Sequence, residues 1–235
     1  MFGELFAGLL VTAFFAGMAY ALGMISTSGA VGGFVVGVLV YASLGWRGFA
    51  VLALFVVGGS ALTRVGYRVK QIRGTAEGRG GRRGARNAFA NSVVAVVCAG
   101  LAAATSRQEL FAAAFVASLG AAFADTAASE VGPLFSATPR RITTLERVPA
   151  GTDGAVSLPG TLAGAGAALL TAAFGLSLGL LGSPSEAAGV ALASFAGMLA
   201  DSLVGATLPG LGNELTNVAC TLVGALVGLS LVAAG

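Results

Sequence analysis

The sequence predicts an all-α bundle of transmembrane helices, with seven or eight spans in one integral-membrane domain covering residues 1–235. Three observations predict it. Of the 235 residues, 56% are hydrophobic and 10% charged, whereas a soluble domain carries about 25% charged residues. The mean hydropathy is +0.90. Apolar runs near the ~20 residues needed for a spanning helix recur along the chain between short polar segments.

The first run, 2–22, opens "MFGELFAGLL", which is acidic at Glu4 and has no basic n-region. It therefore reads as a span, not a cleaved signal. The others are 29–44, which is short, then 48–67, 89–105, 109–127, 158–182, 186–207 and 214–234. Glycine makes up 37 residues, and small residues let membrane helices approach closely, so tight packing is expected. The chain has no histidine, which removes the usual general base and zinc ligand. Cys98 and Cys220 lie inside apolar runs and read as buried thiols.

Orientation follows from arginine and lysine. Eight of the 13 basic residues lie between Arg64 and Arg86, and Arg140, Arg141 and Arg147 occupy the next long loop. The positive-inside rule assigns loops 68–88 and 128–157 to the cytoplasm, with both termini outside. Only Glu4, Arg47, Arg107, Glu109 and Glu186 remain for the outer face. A transporter keeps its key polar groups near the midplane. Polar groups gathered on one side instead predict an enzyme working at the cytoplasmic interface.

Four clusters carry that expectation. "FADTAASEVG" holds Asp125, Thr126, Ser129 and Glu130. On a helix Asp125 and Ser129 share a face, but Glu130 is about 140° away, so a second segment must complete any ion site. "LADSLVGATLPG" repeats Ala-Asp-Ser/Thr 76 residues later, at Asp201 and Ser202. Two carboxylates at equal depth could share Mg²⁺, which takes carboxylate and phosphate oxygens. The plainer reading is an interfacial pair or helix cap.

The third cluster, "PRRITTLERVPAGTDGAVSLPGT" (139–161), flanks Asp153 with Gly151 and Gly154. Ser157 is placed to cap the following helix, with Pro159 in its first turn. A glycine-rich backbone at a helix start suits an anion, though an ordinary loop and cap would read the same. The fourth, "GRGGRRGARNAFANS", holds Arg82, Arg83, Arg86, Asn87 and Asn91. Arginine forks bind phosphate, while attraction to anionic lipid is the plainer account. Asn213 and Asn217 repeat the i, i+4 amide spacing of Asn87 and Asn91.

Acids for a metal, arginines for phosphates and no placed nucleophile suit phosphoryl transfer, which depends mainly on positioning and charge stabilisation. The motifs "ADTAASEVG", "RRITTLERVPAGTDGAVSLPGT" and "ADSLVGATLPG", with "GRRGARNAFAN", resemble the phytyl-phosphate kinase family, a membrane family formerly of unknown function. Dolichol and phytol kinases and CDP-lipid synthases resemble it more distantly. The resemblance implies conversion of an isoprenoid monophosphate to its diphosphate by a nucleoside triphosphate, CTP foremost, with Mg²⁺. It implies that Asp125, Ser129 and Glu130 belong to the nucleotide–metal site. Thr144, Arg147, Gly151, Thr152, Asp153 and Gly154 would form its central loop. Asp201 and Ser202 would complete it, with Arg86 and Asn91 nearby.

Asp125, Asp201, Asp153 and Arg147 are the catalytic candidates, and Asp125, Glu130 and Asp201 the metal candidates. Arg82, Arg83, Asn87, Asn213 and Asn217 are added for substrate or nucleotide. Expected partners are membrane lipid, isoprenoid phosphate and nucleotide, not nucleic acid. A CDP-lipid-type nucleotidyltransferase, a transporter and a structural or assembly protein are the rival expectations.

Overall fold

A computed structural model describes residues 2–208 and 210–234; the Glu4 side chain and Pro209 of the second acidic motif lie outside the described residues. The helices are α1 (Phe2–Ala21), α2 (Thr27–Arg64), α3 (Tyr67–Ile72), the single turn α4 (Gly78–Gly81), α5 (Ala85–Ala104) and α6 (Gln108–Phe135). After a two-stranded hairpin come α7 (Leu158–Ser177), α8 (Pro184–Thr207) and α9 (Asn213–Ala234). The hairpin pairs β1 (Arg140–Arg141) antiparallel with β2 (Ala155–Val156). The expected all-α polytopic bundle is what forms. Among the described residues, α2 and α5–α9 are long and apolar enough to cross a membrane, and α1 adds a shorter apolar stretch, Leu5–Ala21.

α2 is two arms, not one rod. Gly45 interrupts it with φ 65° and ψ −161°, a conformation that glycine alone adopts readily. A Cβ on Gly37 would lie 3.1 Å from the Phe49 ring, although 12 residues of straight helix span about 18 Å. The Tyr41 and Phe49 rings are 6.0 Å apart. The chain therefore folds back at Gly45, and the arms 27–44 and 46–64 correspond to the two spans expected separately.

Two boundaries differ from the sequence reading. The span expected to end at 127 continues to Phe135. Thr126, Ser129 and Glu130 find hydrogen-bond partners within the bundle and Asp125 lines a cleft, so the first charges do not end the helix. The span expected to reach 182 ends at Ser177, where the chain turns through Gly179 at φ 71°. Ser157 caps α7 as expected, accepting a hydrogen bond from Gly160 N at 3.3 Å.

α6 is the central helix, packed against α2, α5, α7, α8 and α9. Small residues bring its neighbours in. A Cβ on Gly197 would lie 2.6 Å from Ala121 Cβ and 2.6 Å from Cys220 O, and one on Gly224 would lie 3.0 Å from Ala117 O. Such backbone approach is the close packing that the glycine content predicts.

Candidate active site

The two acidic motifs meet because their helices are in register. Asp125 is the eighteenth residue of α6 and Asp201 the eighteenth of α8. Ala121 packs on Gly197. One helical turn further on, Asp125 and Asp201 line the same cleft, of about 530 Å³, and lie close enough to influence each other electrostatically. Asp153, also within electrostatic range of Asp201, lines that cleft. So do Ser129, Glu130, Gly151, Thr152, Gly154, Ser202 and Asn213.

Gly154 is needed where it stands. Its φ is 72°, and a Cβ there would lie 2.7 Å from Ser202 O and 2.4 Å from Ala206 Cβ. The glycine loop therefore rests directly on α8, beside Asp201.

A second cleft of about 480 Å³ adjoins the first, and Glu77, Gly78 and Asn213 line both. Arg79, Arg82, Arg86, Asn87 and Asn217 line the second. An acidic, glycine-lined space and a basic, amide-lined space thus share a wall at one end of the bundle.

The remaining candidates are placed elsewhere. Thr144 and Arg147 are exposed and line neither cleft. They sit in the turn of the β hairpin, where Arg141 N donates to Glu146 O, Arg140 Nη1 to Leu145 O, and Leu145 adopts φ 59°. This turn holds 142–147 away while 150–154 return to α8, so the central block divides in two. Asn91 is buried and donates to Asn87 O at 3.0 Å, turned inward from both clefts. Arg83 points into the bundle. One of its terminal nitrogens is 3.5 Å from Thr126 Oγ1, and its guanidinium lies over the Phe55 ring at 5.7 Å.

Glu130 has both oxygens engaged. Thr63 Oγ1 donates to one at 2.6 Å and Lys70 Nζ to the other at 2.5 Å. Lys70 is fully buried and also donates to Leu62 O at 2.9 Å and Thr63 O at 2.7 Å. All three ammonium protons are therefore used. Arg73 adds a hydrogen bond to Pro133 O. These contacts clamp α3 onto the end of α6 and set the loop 74–78 over the cleft. The sequence reading gave Lys70 only a topological role. Its signal was present: it is the chain's single lysine among twelve arginines, and a compact ammonium fits an enclosed site as a fork does not.

Asp125 and Asp201 differ from Glu130. Among the described residues, Lys70–Glu130 is the one ion pair, and Asp201 Oδ2 is buried without a hydrogen-bond partner. A buried, unsatisfied carboxylate oxygen facing a second carboxylate fits a divalent cation. No group of three or more His, Cys, Asp or Glu residues forms a metal cluster among the described residues. Two carboxylates plus substrate phosphate is the arrangement that suits Mg²⁺.

Fold and site together define a polytopic integral membrane protein with a polar, phosphate-suited chamber at one end of its bundle. Residues 10–225 match the integral membrane protein family DUF92, and the chain belongs to that family. It is 43% identical over 149 residues to an uncharacterized membrane protein of Synechocystis, covering 63% of this chain and 58% of that protein. It is 39% identical over 168 residues to the chloroplastic protein VTE6 of Arabidopsis thaliana, covering 70% of this chain and 50% of that one. With an uncharacterized membrane protein of Methanocaldococcus jannaschii it shares 33% identity over 175 residues, 74% of this chain and 71% of the other. The chain thus spans little more than half the length of the first two relatives. No solved structure matches it.

Proposed function

We propose that the protein is a membrane kinase that transfers the γ-phosphoryl group of a nucleoside triphosphate, CTP foremost, to an isoprenoid monophosphate, giving the diphosphate. The observation that carries this is the shared wall between the clefts: carboxylates and glycine backbone on one side, arginines and amides on the other. The motif resemblance to phytyl-phosphate kinases supports the isoprenoid, and membership of DUF92 is consistent with it.

Asp125 and Asp201 would hold Mg²⁺, which when bound neutralises charge on the nucleotide phosphates. The backbone of 151–154, seated on α8 through Gly154, would lie against the nucleotide. Arg82, Arg83 and Arg86 would neutralise the reacting phosphates, the acceptor's among them. A monoester oxygen attacks the γ-phosphorus, the bond from γ-phosphorus to the β–γ bridging oxygen breaks, and a nucleoside diphosphate leaves. The acceptor needs no general base, because its second proton is lost with a pKa near 6, and this agrees with a chain lacking histidine. The proposed chamber faces the cytoplasm, by the distribution of arginine.

The test is incubation of purified protein with geranylgeranyl monophosphate, Mg²⁺ and each nucleoside triphosphate in turn. Prenyl diphosphate with nucleoside diphosphate is the expected product pair. Release of pyrophosphate with a CDP-lipid would replace the kinase by a nucleotidyltransferase. Nucleotide-independent flux of a solute into proteoliposomes, without either product, would replace it by a transporter.

A further inference from the structure

We infer that a single isoprenyl chain lies in an apolar groove between α1, the two arms of α2 and the start of α5, with its phosphate at Arg83. The phosphate's identity rests on the kinase reading; the groove and its polar end do not.

α1 packs against α2 and has no comparable contact with α5. The space left between them is a narrow cavity of about 110 Å³, lined by groups such as Phe15, Val36, Leu52 and Val56. Gly33 lines it too, and a Cβ there would meet nothing within 4 Å. One end is different in kind. Arg83 lines the groove, and its Nε is closed to solvent with no hydrogen-bond partner. Glu130, Glu77 and Asp125 lie within electrostatic range of Arg83, but none hydrogen-bonds it, and a buried donor left unfilled is costly until an acceptor completes it.

Gly84 and Asn87 line both this groove and the arginine-bearing cleft. The hydrocarbon space and the arginine-bearing cleft are therefore neighbours, meeting at Gly84 and Asn87. A ligand matching both is one apolar chain ending in an anionic head. A diacyl phospholipid would need a second channel that the groove does not provide.

The groove also has a length. Along the first arm of α2 its lining runs from Gly29 to Val36, about 10 Å at 1.5 Å per residue. An extended chain advances about 1.2 Å per bond, by the geometry that gives a polypeptide ~3.6 Å over three bonds. Four bonds per isoprene unit make the groove about two units long. Longer chains extend past Val36 into lipid.

The probe is a geranyl monophosphate carrying a diazirine at its chain end, photolysed with the full-length protein in lipid nanodiscs and mapped by mass spectrometry. Labels are expected on the groove faces of α1, α2 and α5. Gly33→Phe is expected to cut them at least about tenfold, because its ring takes the space that a buried isoprene unit would fill. Gly33→Leu serves the same purpose with a smaller side chain. Labels on α7, α8 or α9, labels unaffected by either substitution, or equal labelling by a diazirine phosphatidylcholine would each overturn the inference.

A kinetic arm separates the two readings. With geranylgeranyl monophosphate Gly33→Phe should raise KM about tenfold or more, and by a clearly smaller factor with dimethylallyl monophosphate, whose chain is one unit long. Equal effects on both substrates remove the groove and leave the kinase. Absence of turnover by the wild type removes the kinase, and the photolabel still decides the groove.

Discussion

Replacing Lys70 by methionine removes the ammonium from a site where it is fully buried and makes three hydrogen bonds, one to Glu130 at 2.5 Å. The substitution keeps the apolar stem and leaves Glu130 with Thr63 alone. Stranding one member of a buried pair costs about 3–5 kcal/mol. The double substitution Lys70→Met/Glu130→Met removes both charges, and apolar replacement of a whole buried pair is often close to neutral. It should therefore recover at least about 2 kcal/mol of the single variant's loss. The two free cysteines, Cys98 and Cys220, are both buried, so thermal unfolding in detergent can be followed by a thiol-reactive fluorophore. The single variant should react at a markedly lower temperature than the wild type, with the double variant between them. A loss below about 1 kcal/mol for Lys70→Met, or equal losses for the single and double variants, would refute the reasoning. Activity should fall in both variants, because α3 also sets the loop 74–78 over the cleft.

Asp125→Asn and Asp201→Asn should each lower turnover at least ~10²-fold while the protein still inserts, the scale of losing stabilisation of transferred charge; near-wild-type turnover in either would remove that residue from the site. Arg147→Ala and Thr144→Ala should change kcat/KM less than about threefold, and a loss above thirtyfold would bring the hairpin turn into the chamber. Gly45→Ala should cost about 1–3 kcal/mol through its backbone conformation alone, measured as unfolding temperature in detergent; no change there would contradict the fold-back. Gly197→Leu should abolish folding, read as aggregation on size-exclusion chromatography, since its side chain would enter the space of Ala121 and Cys220 O.

Much of the architecture was legible because the bilayer imposes one period and one length. Eight apolar segments were readable, including two separated only by Gly45 and its neighbours. The equivalence of Asp125 and Asp201 was also readable, since a 76-residue offset between parallel helices survives folding as equal depth. Other features depended on partners distant in sequence. Glu130 reads as a metal ligand until Lys70, 60 residues away, is placed against it. Thr144 and Arg147 share a motif with Gly151–Gly154, but a six-residue turn separates them in space, and no spacing rule marks where such a block divides. Arg83 and Arg82 are adjacent in sequence yet line different spaces, one at the end of the apolar groove and one in the arginine-bearing cleft.

Among the described residues, α1 makes its one extensive contact with α2. Substitutions on its inner face can reshape the hydrocarbon compartment without touching α6, α8 or the acidic chamber they hold. On the proposed reading, chain-length preference and bond chemistry are then separately adjustable, and variants selected for longer or shorter acceptors should cluster on the first helix and its turn.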